Sequence, residues 1–275
     1  MATNLAERVT ANAAATTESN APAVQHRPAT LTDSIRSMEK QFQLAMPRGA
    51  EAEQLIRDAL TCIRQTPKLQ QCESTSVLGA LMTCAQLGLR PGVLGHAWVL
   101  PFWDKKSNGF KAQLVIGYQG LVELSYRSNQ IASLSARTIF ANDVYEVEYG
   151  LEEKLLHKPL MAGDRGAPIA YYAVVRFANG GSTFVVYSNT EMLAYKKKYA
   201  MQKNKEGEIF GPWRDEFEGM AHKTCLRQLS KWMPKSTELA LAIANDGAVR
   251  VDLTPAAINT PQHIEGEVVD EQEAS

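Results

Sequence analysis

The chain has little of what most catalytic or secreted proteins display. Its four cysteines, Cys62, Cys72, Cys84 and Cys225, stand apart, with no C-x-x-C pair among them. That usage fits buried thiols in a reducing compartment rather than a disulfide framework or a zinc site. The five histidines, His26, His96, His157, His222 and His263, fall at no metal-ligand spacing. There is no G-x-x-x-x-G-K-[ST] to cradle a nucleotide, no H-E-x-x-H and no G-x-S-x-G, so nothing in the motifs points to an enzyme. No apolar run approaches the roughly 18–20 residues of a membrane span. The opening stretch, MATNLAERVTANAAATTESNAP, lacks the apolar core of a secretory signal. The expectation is a cytoplasmic protein with no membrane partner and no cofactor, needing no ATP and using Mg²⁺ at most as a modulator.

What is present is an uneven charge. The net charge of −1 conceals a body, residues 31–250, with 27 Lys plus Arg against 22 Asp plus Glu. Residues 251–275 carry six acids and no Lys or Arg. A mildly basic body with an acidic tail is a nucleic-acid binder's pattern. Residues 1–30 are rich in Ala, Thr, Asn and Ser and too poor in large apolar groups to order themselves. The expected organisation is a disordered segment over 1–30, a single core over 31–246, and a flexible acidic tail over 247–275.

Apolar periodicity predicts helices over 31–46, 50–65 and from about 74 to Gly88, then 189–199, 212–232 and 235–245. Between them lie short β-rich runs. HAWVLPFW and FKAQLVIG flank DKKSNG, whose Asn-Gly marks a hairpin, and IAYYAVVRF and GSTFVVYS flank Ala-Asn-Gly-Gly. IASLSARTIF and DVYEVEYG read as two further strands, and GYQGLVELSYRS as a short helix. The fold class is α+β: a central antiparallel sheet built from hairpins, flanked by N-terminal and C-terminal helices, along which a nucleic-acid-binding groove is expected from the basic body.

GLRPGVLGHAWVLPF, residues 88–102, has the glycines of a phosphate loop. Its order is wrong for one. A helix ends at Gly88 and a strand follows Gly95, so a phosphate would meet the electronegative end of the helix. The segment reads instead as a C-cap and an entry into the sheet. Gly117-Tyr118-Gln119-Gly120 does precede a helix, and contact with a nucleic-acid phosphate and a purely structural turn are equal readings of it. Acidic pairs such as Glu146/Glu148 and Glu152/Glu153 suit a metal or acid–base chemistry, but such pairs are commonplace on solvated strands.

Three clusters carry the nucleic-acid reading, each with a plain alternative as solvated surface. The hairpin tip joins Trp103, Lys105, Lys106, Phe110, Lys111 and Gln113, and aromatics among lysines suit base stacking with phosphate neutralisation. YKKKYAMQKNKEG sets Lys196, Lys197 and Lys198 between Tyr195 and Tyr199, with Trp213 nearby in sequence. In PWRDEFEGMAHKTCLRQLSKW, Lys223, Arg227 and Lys231 recur every four positions, opposite Phe217, Ala221, Cys225, Leu229 and Trp232. Unaccompanied by acids at i±4, such a stripe repels itself by a few tenths of a kcal/mol per pair. A polyanion along it would explain it.

The order of QLGLRPG, LGHAWVLPF, QLVIGYQGLVEL, RSNQIASLSAR, YEVEYG, LLHKP, GPWRDEFEGMAHKT and RQLSKWMP resembles the RecT/Red-beta single-strand annealing proteins of phages and prophages, the RecT branch most closely, over roughly residues 40–237. The resemblance implies recombination without ATP. Such proteins coat single-stranded DNA left by a 5′→3′ exonuclease and anneal it to its complement within a helical or ring-like homo-oligomer. It assigns phosphate contacts to Lys105, Lys106, Lys111, Arg127, Arg137, Lys223, Arg227 and Lys231, and hydrogen bonding or stacking to Gln113 and Tyr118. Lys196–Lys198 would close over the second strand, and the N-terminal helices would bind neighbouring subunits. The acidic tail would recruit the exonuclease or a host single-strand-binding protein, or occupy the basic groove when DNA is absent. Removing residues 250–275 is then expected to leave annealing intact. The competing readings are an RNA-binding or RNA-chaperone protein and a Mg²⁺-dependent nuclease using the paired acids.

Overall fold

A computed structural model describes residues 30–200, 207–209, 211–264 and 266–267. The segment expected to be disordered, apart from Thr30, lies outside the described residues. The chain opens with Thr30, whose hydroxyl accepts from the Asp33 amide while the Asp33 carboxylate accepts from the Thr30 amide. This reciprocal cap starts α1 (Leu31–Ser37). The helix expected over 31–46 is two: α2 (Glu39–Ala45) follows a turn at Met38. Ile35 and Phe42 still share one fully buried face. Next come α3 (Ala52–Gln65), a 3-10 turn over Pro67–Gln71, and α4 (Ser74–Leu87). α4 is apolar nearly all round and is buried on every side, as a helix at the centre of a core must be.

β1 (Ala97–Asp104) and β2 (Gly109–Ile116) form the expected hairpin, with Asn108 in the left-handed region that the Asn-Gly turn requires. α5 (Tyr118–Tyr126) follows. Leu55, Leu81, Leu87, Leu114 and Leu124 from these elements meet in one core.

β3 (Ile131–Phe140), β6 (Pro168–Phe177) and β7 (Ser182–Ser188) make a second antiparallel sheet in the order β3-β6-β7. β4 (Val144–Glu148) pairs with β5 (Lys154–Lys158) as a separate arm. The antiparallel strands and flanking helices are as expected. One central sheet is not: among the described residues the strands divide into three sheets. β3 and β4, consecutive in sequence, do not pair, because each finds its partner across a longer loop. β5, the LLHKP stretch, was not expected as a strand.

α6 (Asn189–Tyr199) begins at Ser188 with another reciprocal cap. The helix expected over 212–232 breaks at Glu216 into α7 (Pro212–Asp215) and α8 (Phe217–Leu229). Tyr171, Ala173 and Val175 of β6 pack on Cys225 and Leu229 of α8, forming the second core. α9 (Thr237–Asn245) returns to the first.

The chain does not leave the core at 247. Gly247 donates to the Leu114 carbonyl and Leu114 donates back to that of Ala248. Arg250 is buried, with its guanidinium on Thr83 and the Thr254 carbonyl. Its own carbonyl lies so close to Gly79 of α4 that a Cβ there would sit 1.9 Å away. A 3-10 turn, Pro255–Asn259, then buries Ile258. A truncation after residue 249 therefore removes part of the core. Gly266–Glu267 forms a short strand, β8, against β1. Among the described residues no helix is long and apolar enough to cross a membrane.

Candidate nucleic-acid interface

The glycine-rich stretch at 88–95 knits two helices together. Gly88 caps α4 at φ 60°, a conformation glycine adopts without a Cβ penalty. Arg127, at the end of α5, then reaches back and donates to the Leu87 carbonyl at 2.6 Å and the Gly88 carbonyl at 3.0 Å. The guanidinium expected on a phosphate thus satisfies the C-terminal carbonyls of α4. Arg127→Ala should cost about 1.5–3 kcal/mol in urea unfolding, the worth of hydrogen bonds from a charged donor. Arg127→Lys should fall between, because an ammonium cannot span both carbonyls with one planar fork.

The Gly117–Gly120 turn is structural too. A Cβ on Gly117 would lie 1.8 Å from the Gly95 carbonyl oxygen, and one on Gly120 would lie 2.2 Å from that of His96. The Gly117 amide donates to the His96 carbonyl, which favours the structural of the two readings. Tyr118 stays exposed, its hydroxyl accepting from Gln119.

The basic stripe is the largest correction. Lys223 is buried, with its Nζ 2.9 Å from Asp246 Oδ1, and Arg227 places an NH 2.6 Å from Asp246 Oδ2. Asp246 also accepts from the Ile116 amide at 2.9 Å. The missing acid therefore comes from the end of α9 rather than from i±4. These two cations tie α8, α9 and β2 together; Lys223 is buried, and Arg227, half-buried, is spent on the same carboxylate. Lys231 lies beyond the end of α8, exposed, beside a largely exposed Trp232.

The hairpin tip is divided. Lys111 pairs with Asp104 at 2.8 Å, and Asp104, also bonded by Ser107 and the Lys106 amide, is held well below the usual carboxylate range. Gln113 is buried and donates to the Gly247 carbonyl, so it reads no base. Trp103 packs edge-on against Phe110 with centroids 5.0 Å apart. Lys105 and Lys106 are exposed at the tip. Trp213 is buried in the second core and is no stacking platform. On α6, Lys196 lies over the Phe217 ring at 5.2 Å and Lys198 over Tyr199 at 5.1 Å, while Lys197 is exposed.

A groove that the sequence did not disclose lies elsewhere. The β4–β5 arm folds over the face of the β3-β6-β7 sheet that points away from α8. It is fastened there by Tyr149, which accepts from the Val186 amide and packs on Phe184, and by His157, which contacts the Tyr172 hydroxyl at 3.1 Å. Between arm and sheet is a cleft of about 930 Å³, with Tyr172, Arg176, Phe184 and Lys154 on its walls. A second cleft of about 240 Å³ lies toward α8, lined by Arg137 and Arg165 and by Glu218 and His222 of that helix, and shares His157 with the first.

Strand register aligns the charges. Arg137 stands opposite Tyr172, and Arg176 lies four residues further along β6 on the same face, about 13 Å away. Both are exposed, and among the described residues neither has a carboxylate partner. The floor is rigid. Asp143, fully buried, accepts from Arg165, His157 and the Phe140 and Leu160 amides, and the Arg165 guanidinium above all holds it far below the ordinary carboxylate range. Burial pushes the Tyr172 hydroxyl's pKa up and that of His222 down, so both stay neutral near pH 7. Tyr145 and Tyr149 on the arm are exposed. Of this groove only Arg137 was expected. The alternation in IAYYAVVRF could have found Arg176, since it assigns Tyr172, Val174 and Arg176 to the face opposite the apolar Tyr171, Ala173 and Val175.

The acidic pairs do not converge. Glu146 is bound by Lys154 at 2.7 Å. Among the described residues no group of three or more His, Cys, Asp or Glu side chains is placed to hold a metal ion.

Residues 53–259 match the sequence profile of the RecT family. The chain is 41% identical to Protein RecT of Escherichia coli (strain K12) over 224 residues, 80% of this chain and 80% of that protein. It is 28% identical to the uncharacterized protein YqaK of Bacillus subtilis (strain 168) over 253 residues, 87% of this chain and 80% of that protein.

Proposed function

The chain belongs to the RecT family of recombination and annealing proteins, and from that membership we propose that it binds single-stranded DNA and anneals complementary strands without ATP. The observation that carries the reading is the pair of clefts that meet at His157, where Arg176 lines the one beneath the β4–β5 arm and Arg137 the other, both exposed on one sheet face and, among the described residues, without acidic partners. Two cations on a stiff floor suit a phosphate backbone followed without regard to sequence. The exposed Tyr145 and Tyr149 offer faces on which any base can stack. Base pairing itself supplies the driving force, on the order of 1.4 kcal/mol per step, so no nucleotide hydrolysis is required.

Lys105, Lys106, Lys197 and Lys231 extend the positive surface outside the groove and would meet a second strand or a neighbouring stretch of DNA. Leu44, Leu94 and Trp232 are large apolar side chains left mostly exposed, which supports contact between copies in a homo-oligomer. The segment beyond Ile264 is free of basic residues and is suited to recruit an exonuclease or a single-strand-binding protein in a bacterial cytoplasm.

The test mixes purified protein with complementary DNA oligonucleotides in EDTA without ATP, and follows both duplex formation and strand length. Duplex should form well above the spontaneous rate with strands intact. No acceleration would overturn the reading. Cleavage on adding Mg²⁺ would favour a nuclease, and acceleration confined to RNA oligonucleotides would favour an RNA chaperone.

A further inference from the structure

The two outer edges of the β1–β2 hairpin are treated differently. β2's edge is closed residue by residue: the Phe110 carbonyl accepts from Glu73, and the Ala112 amide donates to Ser76 Oγ. Leu114 exchanges bonds with Gly247 and Ala248, and the Ile116 amide donates to Asp246. Alternation across the register then turns the backbone groups of their partners, Ala97, Val99, Pro101 and Trp103, to the opposite edge of β1. There the Ala97 carbonyl accepts from Gly92, and Pro101 has no N–H to offer. Among the described residues the only strand beside this edge is Gly266–Glu267, with Glu267 opposite Trp103 and Gly266 opposite Asp104.

That strand comes from the acidic end of the chain, whose sequence continues through Asp270, Glu271 and Glu273. It sits at the end of β1 that leads directly into Lys105 and Lys106. We infer that the outer edge of β1 is a docking edge for the chain's own C-terminal segment, which pairs there as an added strand and competes with single-stranded DNA for the basic hairpin tip. The competition rests on the DNA-binding reading above; the docking does not. Backbone pairing gives the segment a fixed place, and its carboxylates give it the charge of the ligand it displaces. The device would keep weak, unproductive encounters off the hairpin until a long strand, held also in the groove, outcompetes the tail.

Two full-length variants separate pairing from charge. Glu267 stands opposite a residue whose groups face outward, so Glu267→Pro deletes a ladder donor, whereas Glu267→Gln removes the same charge and keeps the amide. Affinity for a fluorescent oligothymidylate at low salt should rise about fivefold or more in Glu267→Pro and change little in Glu267→Gln. Amide hydrogen exchange at Trp103 should quicken in the proline variant alone. Unaltered DNA affinity and unaltered Trp103 exchange in both variants would overturn the inference. Equal gains in both would reduce the contact to charge and overturn the strand pairing. If no form bound DNA while Trp103 exchange still quickened in Glu267→Pro, the docking would stand and the DNA-binding reading would fall.

Discussion

Asp246→Ala should destabilise the protein by about 3–5 kcal/mol, a large share of the 5–15 kcal/mol typical of a folded domain. The substitution leaves Lys223 buried with no counter-charge and takes from Arg227 and the Ile116 amide the acceptor they share. A buried ion pair adds little by itself, because desolvation cancels most of the attraction; breaking one leaves the full penalty. The midpoint of urea unfolding should fall sharply. Asp246→Asn should fall nearly as far, since it restores an acceptor for Ile116 but no charge. Adding Lys223→Met to Asp246→Asn should recover part of the loss, because the buried cation is then gone. If Asp246→Ala unfolds at the parent's urea concentration, Lys223 is solvated and the three-way tie is absent in solution.

That node also marks where the sequence stops speaking. A four-residue repeat of cations is visible in the chain, and so is the absence of acids at i±4. What neutralises the cations is an aspartate that lies beyond the end of another helix, and only the folded chain brings it within reach of Lys223 and Arg227. The same limit explains Gln113, Trp213 and Arg127, whose polarity or aromaticity suggested a ligand. Each is spent on a partner distant in sequence: the Gly247 carbonyl, the second core, and the end of α4.

Local signals carried further. Gly88 as a left-handed cap and Asn-Gly as a hairpin turn depend on neighbours within a few residues, and both are present. Strand partners depend on loop closure, so the separation of β3 from β4 and the role of LLHKP as half of an arm could not be read from the chain. The groove inherits that limit. Arg137 was visible as a base in a strand, but Arg176 joins it only through the β3–β6 register.

Reversing both charges, Arg137→Glu with Arg176→Glu, should weaken binding of single-stranded DNA at low salt by tenfold or more, on the order of magnitude that losing two phosphate contacts implies. The logarithm of affinity should also depend less steeply on salt, the slope falling by about 1.4 at roughly 0.7 per contact. Both side chains are exposed and unpaired by carboxylates among the described residues, so folding should change little and the urea midpoint should stay close to the parent's. That separates this variant from any change at Lys223 or Arg227, where weaker binding would follow from a weaker fold. Anisotropy titrations over several salt concentrations, read beside unfolding curves, distinguish the two. A variant with parental stability and an unchanged salt slope would show that DNA does not lie beneath the β4–β5 arm. Charge reversal at Lys106 and Lys231, exposed outside the groove, would then be the next variants to titrate.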